Sequence, residues 1–293
     1  MTEYVVRHRT TYKYGRDVAF SRLVAHLSPR TTPLQQTRDY ELTIAPTPIH
    51  AFSRLDYFGN RTDWFTIDGA HDVLDVLAES RVTVADRIAF EADAGPSWES
   101  VRAAIESPSD GAALDAVQYA FDTQLTAVTA EVVAYARPSF GRDRSLLACV
   151  RDLNSRIYRD FKYDGEATDT TTSVARAIEL RAGVCQDFAH VGVACMRAMG
   201  LAARYVSGYL LTHPPPGKER LVGADASHAW FSAWIPTLGW IDFDPTNDVL
   251  PGREHITTAW GRDFADVSPI HGIVTGGSAS EIDVAVDVIP LAS

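Results

Sequence analysis

The segment from Cys185 to Gly200 constrains the fold more than any other part of the chain. Phe188, Val191, Gly192, Cys195 and Met199 recur at helical spacing, and Gly200 supplies a stop. The stripe predicts a largely buried helix with Cys185 in its first turn, just after Gly183 and Val184. Unbonded N–H groups and the positive end of the helix dipole lie there, and both favour thiolate over thiol. The same N–H groups can hold a developing oxyanion, and the backbone of Gln186 is a candidate donor. A packed structural cysteine is the alternative at such a position. It is the reading adopted for Cys195, on the buried stripe, and for Cys149, inside the helical pattern Leu146, Val150, Leu153, Ile157, which Leu147 and Tyr158 widen.

A thiolate nucleophile needs a base and a group to orient that base. Ser227 to Ile235 alternates apolar and polar residues, Pro236 to Gly239 reads as a turn, and Trp240 to Asp244 alternates again before Pro245. This is a hairpin with His228 at one strand start and Asp244 at the other strand end. Antiparallel pairing returns both to one end. The two share a face only in one parity of register, which the sequence leaves open. Asp242 is the rival orienter and His190, on the helix of Cys185, the rival base. Trp230, Trp234 and Trp240 are read as core packing, with Trp230 and Trp240 as candidates for a substrate lining.

Three blocks, Gly183-Val-Cys185, His228-Ala-Trp230 and Gly239-Trp240 followed by Asp244-Pro-Thr246, resemble the transglutaminase-like superfamily in order and spacing. Asp56-Tyr-Phe-Gly-Asn60 and Gly261 to Pro269 look similar to its bacterial branch, whose cores follow an N-terminal β region. The resemblance implies Cys185, His228 and Asp244 as a catalytic triad. It also implies an α+β, papain-like core in which the nucleophile helix packs on an antiparallel sheet, and acyl transfer from an amide through a thioester. Animal members use calcium. No loop with EF-hand spacing is visible here, and Asp242, Asp244 and Asp248 are already engaged in the triad reading, so no metal or cofactor is expected.

The first ninety or so residues carry β-prone runs: Tyr4–Tyr14, Arg22–Leu27, Tyr40–Ile44, Asp63–Ile67 and Arg81–Val84. Turn signals at Gly15, Pro33, Pro46 with Pro48, Gly59-Asn60 and Gly69 separate them, which predicts short strands in a sandwich-like all-β module over residues 1–94. His8, His26, His50 and His71 are scattered in it and read as surface or core histidines. Composition shifts at Ala94-Gly95-Pro96, with a helix cap at Ser97 and an alanine-rich stretch from Ala112 to Ala136. Residues 95–293 are expected to form the catalytic core with a C-terminal strand. A short helix is expected at Val174–Arg181 and a proline-rich loop at His213–Lys218. Arg262, Asp263 and Asp266 read as a structural polar cluster.

The net charge of -11, from 27 basic and 38 acidic residues, argues against nucleic acid and anionic membranes as partners. Three cysteines without a CxxC pair argue against disulfide and zinc-thiolate frameworks. The Asn60-Arg61-Thr62 glycosylation match is read as chance. The start, Met1 to Tyr14, has no apolar leader, and a cytoplasmic location is expected. The expected activity is cysteine-dependent hydrolysis of a peptide or isopeptide-type amide. Protein-glutamine transamidation is the alternative fate of the same thioester, and a non-catalytic scaffold on this fold is the alternative of another class. A metal hydrolase lacks ligand spacing such as HExxH. The partner is a peptide or protein amide substrate, and oligomeric state is left open.

Overall fold

The computed structural model describes residues 1–87, 90–91, 94–213, 226–278 and 280–291. From residue 214 on, the expected proline-rich loop lies outside them. Two long strands, β1 (Thr2–Ala25) and β4 (Arg61–Val84), pair antiparallel and form the spine of a six-stranded sheet. Four of the five runs read as separate short strands therefore fall largely in two bent strands, Tyr4–Tyr14 and Arg22–Leu27 in one and Asp63–Ile67 and Arg81–Val84 in the other, while Tyr40–Ile44 lies in a strand of its own. Gly15 does not turn the chain: β1 continues through it and shifts register between Lys13 and Val18. Gly69, at φ +123°, bends β4 in the same region. Gly59, at φ +72°, does turn the chain, between β3 (His50–Leu55) and β4. The strand β2 (Gln35–Ala45) pairs with the second half of β4, and β3 with its first half. The bend closes the sheet over its own core, in which Leu23, Leu27, Phe65 and Ile67 meet Leu74, Val76 and Ala78.

Five helices precede the central one: α1 (Trp98–Glu106), α2 (Gly111–Val117), α3 (Ala130–Ala136), α4 (Leu146–Asp160) and α5 (Val174–Leu180). The Ser97 hydroxyl caps α1 as expected, accepting from the Ser100 N–H. The alanine-rich stretch is two short helices joined by irregular chain, with Asp110 and Thr129 as their caps. In α4 the expected apolar residues are buried, but Tyr158 is half exposed and lies outside the stripe. The central helix α6 (Cys185–Ala198) ends on Gly200, at φ +73°.

The second sheet runs in the order β10 (His255–Gly261), β7 (Ala203–Leu210), β8 (Ala226–Ile235), β9 (Gly239–Phe243), all antiparallel. One face packs on α6. A Cβ at Gly192 would come within 2.5 Å of the Phe231 ring, so glycine sets how closely the helix approaches the sheet. A parallel pair, β5 (Lys162–Tyr163) with β6 (Ala182–Gly183), holds the chain just before the helix.

The remaining strands, β11 (Ile270–Gly276) and β12 (Ser280–Pro290), correct the expected place of the C-terminal segment. Both pair with β1 and complete the N-terminal sheet rather than the core. Chain order misleads here because the open edge of β1 is satisfied by strands from the far end of the chain. The two sheets join through Tyr4, Val6, Val82, Val84, Val286 and Val288, packed against Tyr209, Leu211 and Ile256. The buried His8 ring bridges the Tyr209 hydroxyl at 3.0 Å and Thr10 at 2.9 Å.

Polar contacts fix the register of this junction. Asn60 is fully buried. Its side chain donates to Asp56 Oδ2 (2.7 Å) and the Trp260 carbonyl (2.9 Å), and accepts from the Trp260 N–H (3.0 Å) and from Arg30. The Asp56–Asn60 turn is thus a clasp on β10. The same burial leaves no room for a glycan on Asn60. Replacing Asn60 by alanine would strand buried donors and acceptors on both sides, at a cost of about 2–4 kcal/mol. Urea denaturation should show the midpoint of Asn60→Ala falling well below wild type; an unchanged midpoint would contradict the clasp.

Candidate active site

Helix α6 starts abruptly because Gly183, Val184 and Asp187 cooperate. The Asp187 carboxylate accepts the Val184 N–H at 2.8 Å and the Thr168 hydroxyl at 2.7 Å. A Cβ on Gly183 would lie 2.5 Å from that carboxylate, so only glycine leaves the cap its place. Burial raises the Asp187 pKa, and the Val184 and Thr168 hydrogen bonds oppose the rise. Cys185 follows at the first helical position and is partly exposed, whereas Cys149 and Cys195 are buried. Burial pushes their thiols up, to about 11 for Cys149 and about 12 for Cys195. The Gln186 side chain donates to the Thr170 carbonyl (3.3 Å), tying the loop before α5 to the start of the helix. Tyr163, half exposed on β5, meets Phe188 of α6 edge-on; partial burial raises its hydroxyl pKa, and Cys185 and Asp187 add to the rise.

The hairpin register takes the parity that unites the pair. Phe231 opposes Phe243 and Trp234 opposes Trp240. Continued outward, that register sets Asp244 opposite Trp230 and diagonal to His228, all on one face. His228 Nε2 lies 2.8 Å from Asp244 Oδ2. Cys185 adds a second hydrogen bond to the ring, and with Nε2 taken by Asp244, Nδ1 is the atom left for the thiol. Burial disfavours the imidazolium. The hydrogen bonds and charges of Asp244 and Cys185 override that penalty and raise the His228 pKa to about 10.

Asp244 is fully buried, yet its carboxyl is held well below the usual carboxylate range. Burial pushes it up; His228, His255 and Asn247 more than offset that by hydrogen bonding. Oδ2 receives His228 Nε2, His255 Nε2 (3.0 Å) and Asn247 Nδ2 (2.7 Å). Oδ1 receives the backbone N–H groups of Thr246 (2.9 Å) and Asn247 (3.3 Å). The turn itself closes through Asp244 N to the Val249 carbonyl at 2.9 Å and docks on α4, where Asp248 accepts from Asn154 and Ser155.

The rivals fall elsewhere. Asp242 shares the face of Asp244 but pairs with Arg87 at 3.2 Å. His190 is buried under the 3-10 turn Phe264–Asp266 and accepts the Phe264 N–H at 3.1 Å. Burial, with the nearby Arg197 charge, drops its pKa to about 3, so it is a neutral structural acceptor. Arg262 pairs with Asp266, and Asp263 caps the same turn, as expected of a structural cluster. Trp234 joins the core. Trp230 stands beside His228, with ring centroids 6.0 Å apart, and Trp240 stacks edge-on to Tyr119. Both line a cavity whose walls include none of Cys185, His228 and Asp244. Asp242, Asp244 and Asp248 do not converge on a cation. Ligand atoms of His228, Asp244 and His255 do lie within 4.8 Å of one another, close enough to hold a metal ion. Each of the three is already engaged in the hydrogen bonds that orient His228.

His255 and Asn247 were not foreseen. Asn247 had a local signal: an Asp whose carboxylate accepts N–H groups two and three residues on is an Asx-turn pattern. His255 had none, since it reaches Asp244 from β10, beyond β7 in the sheet.

A thiol at a helix N-terminus, an imidazole and a buried carboxylate in this order define a papain-type arrangement. Residues 4–83 match the bacterial transglutaminase-like N-terminal region, and residues 133–245 match the transglutaminase-like superfamily. Uncharacterized protein Rv2569c of Mycobacterium tuberculosis (strain ATCC 25618 / H37Rv) is 41% identical over 98% of this chain and 92% of its own length. A protein-glutamine gamma-glutamyltransferase of Pseudomonas aeruginosa is 38% identical over 76 residues, 26% of this chain and 11% of its own. Among solved structures, a candidate cysteine protease from Cytophaga hutchinsonii shares the fold, with a TM-score of 0.77 at 23% identity, over 100% of this chain and 91% of that one. The chain belongs to the transglutaminase-like superfamily. Among the described residues, no helix is long and apolar enough to cross a membrane.

The raised His228 pKa depends on Asp244. In Asp244→Asn the ring loses the charge that favours its cation, so nitrogen-15 NMR should show His228 titrating at lower pH than in wild type. An unmoved titration would contradict the assigned pair.

Proposed function

We propose that the protein is a cysteine-dependent amide hydrolase acting on a peptide or isopeptide-type bond, with Cys185 as nucleophile, His228 as acid and base and Asp244 as orienter. The observation that carries this reading is the His228 ring held between a partly exposed thiol and a fully buried, five-fold hydrogen-bonded carboxylate. With its pKa raised to about 10, the His228 ring already carries the proton as the Cys185 sulfur attacks the amide carbonyl carbon. The oxygen takes up negative charge, facing the first-turn N–H groups of α6, Gln186 among them. When the tetrahedral centre collapses, the C–N bond breaks and the imidazolium protonates the departing amine, leaving a thioester on Cys185. Water then attacks with its proton passing to His228, the carboxylic acid leaves and the thiol is restored.

The role of Asp244 is to fix which ring nitrogen faces sulfur. Its Oδ2 holds Nε2, so Nδ1 is presented to the thiol, and its charge stabilises the imidazolium that forms in each half-reaction. Thr168 and Thr170 are tied to Asp187 and Gln186 in the first turn of α6, which supports an approach of the substrate chain along this loop.

Transamidation is the second reading, favoured by the similarity of one segment to a protein-glutamine gamma-glutamyltransferase. Short amide and isopeptide substrates incubated with and without a primary amine, and read by mass spectrometry, separate the two. Free acid in both conditions is expected; an amine adduct in place of acid would transfer the protein to the second reading. Cys185→Ala should abolish turnover, and a chelator should leave it unchanged. Activity retained in Cys185→Ala would overturn the mechanism.

A further inference from the structure

The face of the second sheet turned away from α6 bounds a cavity of about 610 Å³ against the start of β2 and the end of β4. That is the size of a site for a small organic molecule. Its polar walls are unbalanced. Among the described residues, two guanidinium groups, Arg87 and Arg204, line it against a single carboxylate, Asp242, in a protein whose net charge is -11. Arg87 uses one nitrogen on Asp242 (3.2 Å), and among the described residues its Nε and Nη1 have no partner. Arg204 is nine-tenths buried, and among the described residues no ion pair to it is formed. Its Nε is buried and unpartnered. The guanidinium carbon instead lies over two indoles, 4.4 Å from the Trp240 ring centroid and 3.7 Å from that of Trp260.

Asp242 lies near enough to act on the Arg204 charge but is ion-paired with Arg87, so two buried cations share one carboxylate, and stacking on indole offsets only part of the cost of burial. Two indoles on one guanidinium limit its freedom, and a guanidinium held in place is suited to paired hydrogen bonds to a carboxylate. Two further buried groups in the same wall are unpartnered: Trp230 Nε1, a donor, and His255 Nδ1. His255 Nε2 is engaged with Asp244, which leaves Nδ1 as the ring atom facing the cavity, an acceptor in the tautomer with its hydrogen on Nε2. The wall therefore offers cationic donors, one acceptor and broad aromatic faces.

We propose that this cavity is a second binding site, for a small organic carboxylate with an apolar, preferably aromatic, body and a hydroxyl donor. The carboxylate bridges Arg204 and Arg87, the body lies against the tryptophans, and the hydroxyl reaches His255. The site is separate from Cys185, which does not line it. It does abut the triad proposed above, since His255 bonds the same carboxylate oxygen as His228.

Isothermal titration calorimetry of the full chain with 4-hydroxyphenylacetate, with the matching neutral alcohol 4-hydroxyphenethyl alcohol, and with inorganic phosphate tests this. The carboxylate should bind saturably at one site, and the neutral alcohol and phosphate each about tenfold more weakly or worse, as loss of a charge-assisted pair implies. Arg204→Met and Arg87→Met, which keep the side-chain stem, should each weaken the carboxylate by a similar factor while far-ultraviolet circular dichroism stays native; should Arg204→Met fail to fold, Arg87→Met carries the comparison. Cys185→Ala should bind as wild type does, whatever becomes of the proposed hydrolysis. Equal binding of carboxylate and alcohol, no saturable heat with the carboxylate, or undiminished binding in a folded arginine variant would overturn the proposal.

Discussion

One buried carboxylate organises the second sheet. Asp244 carries its charge with no exposure to solvent, and taking such a group out of water costs several kcal/mol. Five N–H groups make that tolerable: two from its own turn, one from Asn247, one from β8 and one from β10. Hydrogen bonds to a charged acceptor contribute about 1.5–3 kcal/mol each, so the set is enough to offset the penalty only when nearly complete. That condition ties the ends of β8, β9 and β10 together and holds the His228 ring in one orientation. The His228 and Asp244 pKa values then move apart, one up and one down, as each stabilises the charged form of the other.

The rest of the molecule can be read as what keeps those strand ends in place. The strand β10 brings His255 to Asp244, and β10 is itself held by the N-terminal sheet. Asn60 brackets the Trp260 peptide, and Gln35 brackets Thr257 through its carbonyl (2.8 Å) and N–H (2.9 Å). Gly208, in the intervening β7, matters for the same reason. A Cβ there would lie 2.2 Å from the Ile256 carbonyl and 2.5 Å from the Trp230 indole, which crosses β7 to meet His255 edge-on at 5.4 Å. The N-terminal module thus supports the site through β10, without placing a side chain on Cys185 in any contact described above.

Local pattern carried much of this. The stripe of α6, its Gly200 stop and the Ser97 cap depend on neighbours within a few residues, and each is visible in sequence. The hairpin was legible for the same reason, although its parity was not, because register depends on which face of β8 meets α6. Long-range pairing was invisible. Gly15 and Gly69 carry the composition of turns, yet they sit where two continuous strands bend together, a choice made by their partnership across the sheet. The C-terminal strands gave no hint that they return to β1. His255 could not be tied to Asp244 without knowing the strand order β10-β7-β8. Asp242 and Asp244, two residues apart on one face, were separated only by the arrival of Arg87 from the other module.

Selective reaction at one thiol would set Cys185 apart from the two structural cysteines. Cys185 is partly exposed beside His228, while Cys149 and Cys195 are buried with their thiols pushed up to about 11 and about 12. Under limiting iodoacetamide near neutral pH, peptide mapping should find Cys185 alkylated well ahead of the other two, and replacing His228 by alanine should slow that reaction markedly. Labelling of Cys185 no faster than Cys149 and Cys195, or undiminished without His228, would contradict the account.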